Sequence, residues 1–154
     1  MTITTTGFRI HALPAELLDD VRAGAYERPV ERLVADGGEP LRCCLRDSRP
    51  GEEALLFGYE PPLPDSPYRE TGAVFAHAAP CAGPAADDAY PADWRGRAQV
   101  LRAYDRRGWI HDATRTHDGG DPEAVIAAML ADPEVVLIHS RNIAWGCYMF
   151  AVTR

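Results

Sequence analysis

The chain has 154 residues and a mass of 16.9 kDa, the size of one domain. Its 46% apolar and 25% charged residues match a folded globular protein and argue against a disordered one. Sixteen basic and 23 acidic residues leave a net charge of −7 without any basic cluster, which argues against nucleic acid as a partner. No apolar run approaches the roughly 20 residues of a membrane helix. The Met1–Gly7 stretch has neither the basic nor the apolar region of a leader. A cytoplasmic protein is therefore expected, with Cys43, Cys44, Cys81 and Cys147 reduced.

Every basic residue is Arg. Without a lysine there is no Schiff-base chemistry, no P-loop and no kinase-type nucleotide site. The serines are Ser48, Ser66 and Ser140, and none lies in a Gly-x-Ser-x-Gly elbow, which argues against an ordinary serine hydrolase. No Cys-x-x-Cys occurs.

In chain order, Phe8–Ala12 alternates as a strand, and Pro14–Arg22 reads as a short helix stopped by Gly24. Val30–Ala35 fits a helical turn or a strand. Leu41–Asp47 reads as a strand with Cys43 and Cys44 on opposite faces, turning at Ser48–Gly51 into a hairpin partner at Glu53–Tyr59. The prolines of Pro61–Pro67 rule out a helix or a central strand. Gly72–His77 is a short strand. Pro80–Trp94 is a long loop and a candidate lid or binding loop.

Arg97–Tyr104 and Trp109–His117 form two strands about an Asp105–Gly108 turn. Asp121-Pro-Glu is a helix start, with Asp as the cap and Pro at the first helical position. Glu134–His139 is the most apolar strand and is expected to be central. Arg141–Gly146 turns back into the last strand, Cys147–Val152. The sum is an α+β domain: a mostly antiparallel sheet of seven or eight strands with two or three short helices.

Three sets of residues carry candidate chemistry. Arg42 and Arg141, the latter beside Asn142, sit within or at the end of apolar strands, where an Arg must meet a carboxylate. That partner is either a ligand's or an internal one such as Glu70 or Asp112. His77 with Glu70 and Tyr68 forms an acid–base set, although His77 and His139 both share faces with apolar residues and suit the core as well. Cys44, His77, Cys81 and Cys147 contain the donors of a tetrahedral zinc site, and Cys44 or Cys147 beside an imidazole would equally suit a nucleophile. His111 and His117 share a face of their predicted strand, and Asp118–Asp121 is a turn with a cap.

One ordered series runs through the chain: Arg42-Cys-Cys-Leu-Arg-Asp47, Pro50-Gly-Glu52, Ser66-Pro-Tyr-x-Glu70-x-Gly72-x-x-Phe75-x-His77, Leu101-Arg-Ala-Tyr-Asp105 and Arg141-Asn-x-x-x-Gly-Cys147. In this it resembles family 1203 of the bacterial domains of unknown function, from about Phe8 to Arg154. In that family the first motif often reads Cys-Arg-x-Cys-Leu. Leu41 stands at its first cysteine, Cys44 matches its second, and Cys43 falls at the variable position. The resemblance implies a small single-domain protein and brings no reaction with it.

The leading expectation is an enzyme or binding protein for a small anionic molecule, a carboxylate or a phosphate. Arg42, Arg141, Asn142, Tyr104 and His139 would hold the ligand. His77, Glu70 and Tyr68 would move protons, and Cys44 or Cys147 would act near the site. No cofactor is predicted under this reading. The alternative is a zinc-stabilised or protein-interaction domain without catalysis, with Cys44, His77, Cys81 and Cys147 as ligands.

Overall fold

Ten strands form two five-stranded sheets in the computed structural model, which describes residues 7–154. Met1–Thr6, on which most of the leader reading falls, lies outside the described residues. The elements are β1 (Arg9–His11), α1 (Ala15–Ala23), β2 (Val30–Val34), β3 (Pro40–Leu41), β4 (Arg46–Asp47), β5 (Glu53–Tyr59) and β6 (Gly72–His77). A single 3-10 turn at Ala92–Trp94 follows, then β7 (Gln99–Tyr104), β8 (Arg115–His117), α2 (Pro122–Leu130), β9 (Leu137–Asn142) and β10 (Tyr148–Thr153). The first sheet has the order β1-β10-β9-β7-β8 and is antiparallel throughout, with β9 in the middle as its apolar sequence predicts. The second has the order β2-β5-β6-β3-β4, with one parallel pair, β3 on β6.

The local punctuation reads as expected. Asp121 caps α2 by accepting from the Ala124 amide at 3.2 Å, and Gly24 closes α1 at φ 77°. One apolar cluster covers the face of the first sheet that carries Leu101, Ala103, Ile138 and Phe150, under Ile126 and Met129 of α2 and Trp94. The second cluster joins Tyr148 and Ala151 of β10 to Leu55, Phe57 and Val74 of the other sheet and to Leu18 and Val21 of α1. The two sheets therefore meet across β10. No helix among the described residues is long and apolar enough to cross a membrane.

Three expectations are corrected. Among the described residues the strands number ten, in two sheets, not seven or eight in one. The single strand expected at Leu41–Asp47 is broken by a turn at residues 42–45, so β3 and β4 pair with each other, while β5 pairs with β2 and β6 and not with the 41–47 segment. The strand expected at Trp109–His117 begins only at Arg115, which removes the shared face of His111 and His117. His111 instead lies beside Asp132 and Glu134, and the buried His117 ring accepts from the Gly119 amide at 3.0 Å.

Candidate metal centre

The turn between β3 and β4 makes the site. The Leu45 amide donates to the Leu41 carbonyl at 2.9 Å, and Leu45 itself stands at φ 57°. A left-handed conformation costs a branched residue roughly 1–2 kcal/mol, and the buried Leu45 side chain offsets it in the first core cluster. In an extended chain Cys43 and Cys44 would point apart. In this turn both sulfurs face His77 at the end of β6, Cys43 Sγ at 3.4 Å and Cys44 Sγ at 3.6 Å from Nδ1. The two sulfurs are 3.8 Å apart, and the His77 amide donates to Cys43 Sγ at 3.2 Å. Cys81 lies four residues beyond His77, and its sulfur completes a set of four ligand atoms that all lie within 4.8 Å of one another.

Charge around the cluster is organised by Glu52. Its carboxylate takes Arg46 in a two-point contact at 3.0 and 2.8 Å and lies 2.8 Å from His77 Nε2. The Arg46 hydrogen bond is the main reason this carboxyl ionises well below the usual range. Nε2 faces two groups, the Glu52 carboxylate, which only accepts, and Arg46 Nη2 at 3.0 Å, which only donates. With the Nε2 proton given to the nearer Glu52, the Nδ1 lone pair turns toward the sulfurs. The hydrogen bond between the two thiols splits them: with burial it pushes Cys43 up, and it pulls Cys44 down. A cleft of about 390 Å³ opens beside Cys44, Leu45 and Arg46, walled by the Gly83–Asp93 loop. The loop's C-terminal end is anchored by the buried side chains of Tyr90 and the following Trp94.

The other predicted site residues go elsewhere. Glu70 precedes β6 and His77 ends it, so the strand holds them roughly 20 Å apart and they cannot act as one acid–base pair. Glu70 instead pairs with Arg141 and lies 3.8 Å from Arg102, the internal partner considered for Arg141. Tyr68 packs edge-on against Trp109. Arg42 is 2% exposed and donates to the Tyr148 carbonyl at 2.8 Å and the Pro40 carbonyl at 2.5 Å, so it ties the second sheet to the first. Burial lowers its pKa to about 10, which leaves it charged at neutral pH.

Cys147 is not in the cluster; its sulfur faces the Trp145 carbonyl at 3.7 Å at the start of β10. Asn142 bonds through its amide to the Cys147 carbonyl, His139 Nε2 meets the Pro62 carbonyl at 3.1 Å, and Tyr104 is fully buried. The sequence reading missed Cys43, because alternation set it opposite Cys44. It also gave no role to Arg46 and Glu52, although both stand within the motifs quoted above. A carboxylate close in sequence to a vicinal cysteine pair was the available signal.

No curated protein and no solved structure matches the chain. A family model described as protein of unknown function (DUF1203) matches residues 38–154, which takes in the turn, both arms of β5–β6 and all four clustered residues. The chain belongs to this family, DUF1203.

Proposed function

We propose that this protein is a zinc-binding domain in which Cys43, Cys44, Cys81 and His77 Nδ1 close a structural metal site. The carrying observation is a match of edges. A tetrahedron with zinc–sulfur arms of about 2.3 Å and a zinc–nitrogen arm of about 2.0–2.1 Å has sulfur–sulfur edges near 3.8 Å and sulfur–nitrogen edges near 3.6 Å. The three edges among Cys43, Cys44 and His77 are 3.8 Å between the sulfurs and 3.4 and 3.6 Å to Nδ1, and Cys81 Sγ lies within 4.8 Å of each. Glu52 supports the reading as the carboxylate behind a ligating imidazole, which sets tautomer and ring orientation. Four protein donors leave no open position, which favours a structural over a catalytic role. The ion would join the 42–45 turn, the end of β6 and the start of the long loop.

The test is metal counting on untagged protein, followed by cobalt substitution. One zinc per chain is expected, bound more tightly than about 10⁻⁷ M, with sulfur-to-cobalt charge transfer in the cobalt form. Cys44→Ser and His77→Gln should each lose the ion. A protein that neither carries nor takes up zinc refutes the reading.

A second reading keeps Cys44 and His77 as a thiol–imidazole pair at the mouth of the 390 Å³ cleft. It requires that the as-purified protein be alkylated at Cys44 as fast as the chelated protein. Protection by zinc removes it.

A further inference from the structure

A second polar cluster lies on the face of the first sheet turned away from α2, under the proline-rich strap that joins β5 to β6. Here Arg102, Tyr104, His139 and Arg141 stand on β7 and β9, and the strap brings Glu70 down onto them. Among the described residues Tyr104 Oη, His139 Nδ1 and Arg141 Nε are buried and have no hydrogen-bond partner. All three side chains line one seam beneath the strap with Glu70. Buried polar atoms are nearly always satisfied, so three unmet ones in one seam need an explanation.

Arg141 shows the form it takes. Nη1 donates to the Gly146 carbonyl at 3.0 Å, and Nη2 meets a single oxygen of Glu70. Nε is left free, although Nε and Nη2 together make a side-on edge that fits both oxygens of one carboxylate. Glu70 thus half-uses a two-point receptor. It is also replaceable: its side chain is 50% exposed, and it belongs to neither adjoining strand. An open cleft of about 180 Å³ is lined by Glu70, Arg141, Cys147 and the 85% exposed Trp145.

We propose that the Nε–Nη2 edge of Arg141 is a binding site for the carboxylate of a small organic acid, which takes the place of Glu70. The swap exchanges one negative charge for another against Arg141 and Arg102, so the charge of the cradle is unchanged. The exposed indole of Trp145 at the rim fits an acid that carries a flat apolar group. This site shares no residue with the cysteine cluster, and its test does not depend on the metal.

The probes are phenylacetate, acetate and inorganic phosphate, titrated into the full chain with melting temperature and tryptophan emission as readouts. Phenylacetate is expected to bind saturably and more tightly than acetate. Glu70→Ala should tighten it on the order of tenfold, because the tethered competitor is gone. Should Glu70→Ala not fold, Glu70→Gln serves the same purpose. Arg141→Met should abolish binding, and Arg141→Lys, which keeps the charge but not the fork, should weaken it at least tenfold. Three results overturn the proposal: a folded Glu70 variant without saturable carboxylate binding, binding unchanged in both Arg141 variants, or phosphate binding as tightly as phenylacetate.

Discussion

Replacing Glu52 by Gln separates a metal site from a chance gathering of thiols. Gln keeps the shape and one acceptor oxygen, but it loses the charge that holds His77 Nε2 at 2.8 Å and Arg46 at 2.8 and 3.0 Å. Loss of such a partner behind a ligating imidazole lowers metal affinity about 10- to 100-fold, or about 1.4–2.7 kcal/mol. The Arg46–Glu52 pair is about a quarter exposed, with side chains at 27% and 26%, so its own loss from the metal-free protein is discounted to about 1 kcal/mol. Competition against a chromophoric chelator reads the first quantity. Chemical denaturation with and without excess chelator reads the second. Glu53→Gln is the control, since Glu53 faces solvent and pairs with the exposed Arg32. Zinc affinity within twofold of the parent in Glu52→Gln would refute the argument. So would a stability loss that is the same with and without metal.

Arg42→Met leaves the part-buried Pro40 and the buried Tyr148 carbonyls without their donor and should cost about 2–4 kcal/mol in chemical denaturation, where a surface Arg49→Met costs under about 0.5 kcal/mol. Burial lowers the His139 pKa from 6.5 to about 4, so the folded state resists the proton that the unfolded state accepts. This contribution is complete above pH 6.5 and is lost as the pH falls from there toward 4, amounting to about 3 kcal/mol for this buried ring. The difference between parent and His139→Gln stability should show that slope, and a flat difference over the window would contradict it. Gly119→Ala should destabilise by more than about 1 kcal/mol in thermal unfolding. Gly119 stands at φ 90°, and an added Cβ would come within 2.4 Å of the Gly96 backbone.

What the sequence determined by itself is local. Asp121-Pro sets the start of α2 and Gly24 the end of α1, because caps depend only on neighbouring residues. Short apolar runs bounded by turn residues set β5, β6, β7 and β10, and the apolar length of the 134–139 stretch foretold a central position. His77, Cys44 and Cys81 were legible as donors by residue type. Tertiary structure alone decided how they combine. The 41–47 segment alternates like a strand, yet it turns at residues 42–45, closed by a left-handed Leu45 packed in the core that no pattern marks, and the turn sets Cys43 and Cys44 on one side. Cys147, just before β10, falls outside the cluster, and Glu52 joins it from the turn before β5. Donor sets assembled from separate segments depend on strand order, and strand order follows from which apolar faces meet, a global balance that a local pattern does not encode.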